Sequence, residues 1–232
     1  MIFAKVTPHY TKMIQTMAPY TKICGISTLE AARAAVENDA AFLGFIHFIR
    51  SPRHLTLDAM AALMRSIRDD GIRLPLVSVT VDPDEALLTA LRDVVNPDMI
   101  QLHGHETPER VAEVKALTGR PVIKAISVSN ASDLDAAKAY EDNADYLLFD
   151  AKAPKDAAMP GGLGLSFDWT LLAGRIWQKP WFLAGGLDPD TVADAVRISG
   201  AKHLDVSSGV ESEPGVKSRE LISRFLRNAK AL

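Results

Sequence analysis

The chain reads as an α/β protein, a single-domain (β/α)8 barrel of the TIM type. Two observations predict it: eight short apolar runs recur along the sequence, and helical patterns lie between them. Strand–helix units repeated in this way imply parallel strands, because each crossover helix returns the chain to the same end of the sheet. Eight units suggest closure, and at roughly 26 residues per unit the loops must be short for this fold. The alternative is an open doubly wound sheet. Against it, the first strand–helix turn lacks the three-glycine dinucleotide fingerprint.

Residues 21–26, 41–46, 75–81, 98–102, 121–126, 145–149, 180–184 and 203–206 read as buried strands. Between them, Leu29, Ala32, Ala35 and Val36 keep the spacing of one helix face. So do Leu57, Met60, Ala61 and Met64, and again Val192, Ala195 and Val196. Start signals agree: Ser27 before the first helix, Thr107-Pro108 before the fourth and Asp188-Pro189 before the seventh. No linker or composition shift divides residues 20–232, which form one catalytic domain. The long connection 151–165 after the sixth strand is the candidate lid. Residues 1–19 have no clear period and carry Pro8, Pro19, Lys5 and Lys12 but no acid. They read as an N-terminal extension outside the fold, either disordered or ahead of a true start at Met17.

Composition narrows the function. Of 232 residues, 47% are hydrophobic and 24% charged, as in ordinary globular proteins. The net charge is -3 with no basic block, which argues against nucleic acid. No apolar run approaches the ~20 residues of a membrane span. One cysteine cannot form an internal disulfide, which fits a reducing, cytoplasmic setting.

Barrel chemistry sits at the C-terminal strand ends, so each end is a candidate. Strand 1 ends at Cys24 and Gly25. A lone cysteine is usually a small buried hydrophobe, but here its position suggests more. Strand 2 leads to Arg50 and Arg53, either a solvated pair or a fork for a carboxylate. Strand 4 leads to Gln101, His103 and His105. The histidines lack a third ligand at a recognised spacing, so no metal is expected and a polar pocket wall is the better reading. Lys124 in strand 5 points either into the barrel mouth or toward the helices. Strand 6 ends at Asp150 and leads to Gly161, Gly162 and Gly164. Strand 7 leads to Gly185 and Gly186, and strand 8 to Asp205, Ser207, Ser208 and Gly209. Glycines let backbone N–H groups approach an anion, and the loops after strands 7 and 8 are the usual phosphate site of such barrels. Cys24 and Asp150 could therefore be a base and an acid facing one phosphorylated substrate.

Taken together, the motifs resemble the phosphoribosylanthranilate isomerase family of tryptophan biosynthesis. They are Lys-Ile-Cys-Gly (22–25), Ser-Pro-Arg (51–53), Gln-Leu-His-Gly (101–104), Asp-Ala-Lys (150–152), Gly-Gly-x-Gly (161–164) with Phe-Asp-Trp (167–169), Ala-Gly-Gly-Leu (184–187) and Asp-Val-Ser-Ser-Gly-Val-Glu (205–211). The likeness runs from Thr21 to about Phe225. It implies an Amadori rearrangement of N-(5-phosphoribosyl)anthranilate without cofactor or metal, by a monomer or homodimer. It also implies that Cys24 is the general base, Asp150 the general acid and Arg53 the holder of the anthranilate carboxylate. Phosphate is expected at Gly162, Gly164, Gly185, Gly186, Ser207, Ser208 and Gly209. Gln101, His103, Lys124 and Asp205 are expected elsewhere in the pocket. At reference pKa values, about 3–10% of a thiol is thiolate between pH 7 and 7.5, and about one aspartate in a thousand is protonated at pH 7. The acid therefore needs the larger shift. Arg50 stands where the family often has lysine, and Leu163 where it often has a small polar residue.

Three other readings compete: a Schiff-base aldolase or isomerase using Lys124, a silent phosphate-ligand binder, and a cysteine hydrolase. The last lacks a well-placed histidine among His47, His54 and His103.

Overall fold

The computed structural model describes residues 18–154, 157 and 161–232. Most of the expected extension (1–17) and part of the expected lid (155, 156 and 158–160) lie outside the described residues. Eight parallel strands close into a barrel in sequence order. They are β1 (Tyr20–Ile23), β2 (Phe42–His47), β3 (Leu76–Thr80), β4 (Met99–Leu102), β5 (Val122–Val128), β6 (Tyr146–Ala151), β7 (Trp181–Leu183) and β8 (His203–Val206). The helices are α1 (Leu29–Glu37), α2 (Leu57–Asp69), α3 (Glu85–Ala90), α4 (Pro108–Thr118), α5 (Ala131–Ala137), α6 (Val192–Ser199) and α7 (Arg219–Lys230).

Two expectations shift. The first helix is capped by Thr28, whose Oγ1 accepts from the Ala31 N–H at 3.2 Å, rather than by Ser27. Among the described residues, the unit after β6 holds one 3-10 turn, Trp169–Leu172, and no full helix. The other signals act nearly where expected. Thr107 caps α4 with Pro108 in its first turn. The Asp188 side chain accepts from Asp190 and Thr191 N–H groups in the turn ahead of α6.

The strands are apolar on both faces because both are covered. Inside, Phe42, Val77, Met99, Ile123, Leu148 and Phe182 fill the barrel. Outside, Leu43, Phe45, Ile100, Val122, Leu147 and Phe149 pack beneath the helices. Side chains alternate across a strand, so every second residue of each strand continues the inner column toward the mouth. That parity carries Lys22 and Cys24, Gln101 and His103, Asp150, and Asp205 and Ser207 inward.

The seam between β1 and β8 carries a polar pair within this apolar interior. Lys22 lies beside Asp205 in the ladder, and its Nζ donates to Asp205 Oδ1 at 2.7 Å with the lysine fully buried. Burial opposes the charge on Lys22, but the Asp205 carboxylate, and then Cys24, more than offset it and raise the ammonium above its ordinary value.

Removing one partner of a buried pair leaves the other charge uncompensated. Lys22→Met is expected to cost about 3–5 kcal/mol in urea unfolding. The double variant Lys22→Met/Asp205→Leu should recover most of that loss. A single variant as stable as the parent would show that the seam does not depend on the pair.

Candidate active site

Cys24 follows β1 directly and is held from both sides of the strand end. Its N–H donates to the Val206 carbonyl at 2.9 Å, and its own carbonyl accepts from Ser207 Oγ at 3.1 Å. Room for the thiol comes from Gly44 on β2, where a Cβ would stand 2.8 Å from Cys24 Sγ and 3.0 Å from Lys22 Cε. The thiol therefore sits just above the Lys22 ammonium. Gly25, at φ +77°, turns the chain away, and a side chain there would strike Arg53 Cδ at 2.6 Å. Burial pushes the Cys24 thiol above its ordinary value. The Lys22 ammonium opposes that rise, Asp205 adds to it and the Lys217 ammonium opposes it. Burial thus holds the thiol of the free protein toward its protonated form.

Arg53 is buried, not a surface loop cation, whereas Arg50 is exposed. Its Nε and Nη2 donate to the two carboxylate oxygens of Glu211 at 2.7 and 2.8 Å. One guanidinium edge is thereby committed, and the Nη1 side faces Gly162. Glu211 opens a two-stranded hairpin, β9 (Glu211–Glu213) with β10 (Val216–Lys217), that the sequence reading did not anticipate. Its Oε1 also accepts from Lys217 Nζ at 2.6 Å, and that ammonium donates in turn to the Ser207 carbonyl at 2.9 Å. Burial opposes the charge on Glu211, but hydrogen bonds from Arg53 and the charge of Lys217 outweigh it and hold the carboxyl low. Burial pulls Lys217 below its ordinary value despite Glu211.

Asp150 lies within β6, one residue before its end, and is 7% exposed. Its Oδ1 accepts from the Ala151 N–H at 2.8 Å, and its Oδ2 lies 3.3 Å from His103 Nε2. Gln101 Nε2 and His103 Nδ1 are 3.0 Å apart. The amide thereby orients the imidazole toward the acid. The glycine loop after β6 closes over these groups. A Cβ on Gly161 would stand 2.5 Å from Asp150 Oδ2 and 2.7 Å from His103 Nε2, and one on Gly162 would stand 2.9 Å from Arg53 Nη1.

One cleft of about 850 Å³, open to solvent, gathers nearly all the expected residues. Cys24, Arg53, Gln101, His103, Asp150 and Asp205 line it, together with Gly162, Gly164, Gly185, Gly186, Ser207 and Ser208. Two expected residues stand outside. Lys124 has the opposite strand parity to Ile123 and Ala125, so it faces the helices. Its Nζ donates to Glu106 Oε2 at 2.6 Å and to the Gly104 carbonyl at 2.8 Å, near the Tyr140 ring. That arrangement removes the Schiff-base reading. Gly209 packs against β7's following turn, where a Cβ would meet the Leu187 carbonyl oxygen at 1.9 Å. His105 is exposed beside Asp82, away from the cleft. Lys22, Glu211 and Lys217 were missed as site residues. Lys22 and Glu211 stood at the ends of motifs already singled out, and the signal was a charge inside a strand or a strand-end turn.

A thiol and a carboxylate thus share one barrel mouth with buried cations and glycine loops, the arrangement of a (β/α)8-barrel enzyme site. The family model described as N-(5'phosphoribosyl)anthranilate (PRA) isomerase matches residues 21–228. N-(5'-phosphoribosyl)anthranilate isomerase of Caulobacter sp. (strain K31) is 51% identical over 209 residues, covering 90% of this chain and 97% of its own. The crystal structure of phosphoribosyl anthranilate isomerase from Thermotoga maritima has a TM-score of 0.81 and 32% identity, covering 92% of this chain and 100% of its own. A further structure, of the isomerase in complex with reduced 1-(o-carboxyphenylamino)-1-deoxyribulose 5-phosphate, has a TM-score of 0.77 and 30% identity. It covers 92% of this chain and 100% of its own. The chain belongs to the N-(5'-phosphoribosyl)anthranilate isomerase family.

Gly161→Ala is expected to crowd Asp150 and His103 without straining its own backbone. Turnover should fall about ten- to a hundredfold, as misplacing a reacting group does, while the thermal midpoint barely moves. Steady-state kinetics beside a melting curve check this, and unchanged turnover would mean the loop does not seat on the acid.

Proposed function

We propose that this protein converts N-(5-phosphoribosyl)anthranilate to 1-(2-carboxyphenylamino)-1-deoxyribulose 5-phosphate, with Cys24 as general base and Asp150 as general acid. The carrying observation is that both side chains line one cleft, separated around the barrel only by β7 and β8. In this reading Asp150 delivers a proton to the ribose ring oxygen, and the ring opens to a Schiff base. Cys24 then removes the C2 proton. The resulting enolamine tautomerises to the ketone, so the atoms of the substrate are rearranged and none is lost. Neither a cofactor nor a metal is invoked.

The substrate's two anionic ends have separate partners. Arg53 and Lys217 share the single carboxylate of Glu211, which leaves one positive charge in the cluster. A substrate carboxylate on the free edge of Arg53 would balance it. The phosphate is assigned to Gly162, Gly164, Gly185, Gly186, Ser207 and Ser208, whose loops supply backbone N–H donors. Gln101 and His103 orient the acid, and Asp205 holds Lys22 beneath the base. A base that works as a free thiol needs a reducing compartment, and we place the enzyme in the cytoplasm.

The test is loss of anthranilate-type fluorescence with freshly made substrate. Wild-type turnover is expected, with Cys24→Ala and Asp150→Asn each lower in kcat by about two to four powers of ten. Arg53→Ala should raise KM. Absence of wild-type turnover would overturn the reaction, and unchanged kcat in Asp150→Asn would overturn the acid. The pH dependence follows from the raised thiol. A base must be deprotonated to act, so kcat/KM should still be rising with pH at the ordinary thiol value of ~8.5. A plateau already reached at neutral pH would argue against Cys24.

A further inference from the structure

We propose that Lys217, outside every motif that identifies the family here, is a positioning residue that joins the carboxylate-binding end of the site to the thiol end. The inference rests on the base role given to Cys24 above. Lys217 side-chain exposure is 1% and that of Glu211 is 4%, so the cation is held in a nearly water-free cluster. The ammonium has a partner in each direction. Toward Arg53 it donates to Glu211 Oε1 at 2.6 Å, the same oxygen that accepts from Arg53 Nε. Toward the base it donates to the Ser207 carbonyl at 2.9 Å and reaches Ser207 Oγ at 3.3 Å. That hydroxyl donates to the Cys24 carbonyl at 3.1 Å.

One side chain thus links the loops after β1, β2 and β8. The hairpin that carries it is pinned to the same place. The Gly215 N–H donates to Glu211 Oε2 at 3.1 Å, and a Cβ on Gly215 would stand 2.6 Å from the Pro52 carbonyl oxygen. The hairpin therefore sits against the Ser51-Pro52-Arg53 turn. Burying a lysine here is costly unless its charge is used. One carboxylate serves both Lys217 and Arg53, so Lys217 keeps part of its charge for the thiol on the far side of Ser207. The charged and titratable groups facing Cys24 are Lys22 from β1, Asp205 from β8 and Lys217 from β10, with Arg53, His103 and Asp150 across the cleft. Lys217 and Lys22 are the two ammoniums among the groups that set the thiol.

The chain has one cysteine, so ultraviolet thiolate absorbance, with the tyrosinate signal subtracted by a parallel titration of Cys24→Ala, reports Cys24. It needs no substrate. Wild type is titrated beside Lys217→Gln, which keeps an N–H donor for the Ser207 carbonyl, and Lys217→Met, which fills similar volume without one. Loss of the cation is expected to move the thiol midpoint to higher pH in either variant. The rising limb of kcat/KM should move with it, and kcat/KM at pH 7.5 should fall about ten- to a hundredfold, more through kcat than KM. A folded variant of either kind whose thiol midpoint and pH–rate limb coincide with wild type overturns the proposal, and one folded variant decides it. Failure of wild type to turn over the substrate would overturn the assigned reaction and leave the titration result standing.

Discussion

The Lys22–Asp205 pair is the constraint on which the rest of the site depends. It lies across the β1–β8 seam, the junction where the first and last strands must meet for the barrel to close. Two charges taken from water attract strongly only when their geometry is good. The pair therefore favours the one register in which Lys22 lies beside Asp205. Cys24 is two residues beyond Lys22 and Ser207 two beyond Asp205, so that register also brings the Ser207 hydroxyl to the Cys24 carbonyl. A slip of β1 by one residue would turn Lys22 and Cys24 to the helix-facing side and part them from Asp205 and Ser207. Closing the fold and assembling the site are one event at this seam.

The same pair sets the electrostatic problem of the site. A buried thiol resists ionisation, and the nearest remedy is a cation beside it. Lys22 supplies one from below, but Asp205, needed to keep that lysine charged, works against the thiolate. Lys217 supplies a second cation from the side, with its own carboxylate shared with Arg53. The result is a thiol held above its ordinary pKa, in a cleft with surplus positive charge at its Arg53–Lys217 end. Such a thiol is quiet toward stray electrophiles in the resting protein. Basicity is also what proton abstraction from carbon needs, since a stronger base pulls harder on a weakly acidic C–H.

Most of the fold was legible because strands covered on both faces leave long apolar runs, and the helices between them announce themselves by spacing and caps. The 3-10 turn that stands between β6 and β7 among the described residues was not, since Trp169, Leu171 and Leu172 are as apolar as a helix face. Within the site, Cys24, Asp150 and the glycine loops could be found because each stands at a strand end. Lys124 was misplaced for a local reason: in a run apolar on both sides, nothing marks which parity faces inward. The structure settles it through Glu106, which takes the lysine on the helix side and accepts from the Asp82 and Gly104 N–H groups. Glu211 and Lys217 were illegible for a different reason. Their meaning lies in partners such as Arg53, 158 positions away along the chain, and in a hairpin too short to leave a period.

Strand parity and loop glycines answer different needs of the chemistry. The inward column delivers fixed groups, Cys24 over Lys22 and Asp150 beside His103, from strand ends whose backbone is locked in the ladder. In the proposed reaction the acid acts at the ring oxygen and the base at C2, both bonded to C1 of one sugar; such groups tolerate little drift, and strands hold them better than loops would. A substrate must still enter, and the roof over these groups is the loop from Gly161 to Gly164. Its glycines leave room for Asp150, His103, Arg53 and Ser208, which a Cβ at Gly161, Gly162 or Gly164 would meet. With no side chains at those points, the loop can lie against Asp150, the Arg53 guanidinium and Ser208 together. Its backbone N–H groups then remain available to an anion. Rigid strands below and loop glycines above are thus two halves of one arrangement, in which the strand-end groups are held still and the Gly161–Gly164 backbone lies over them.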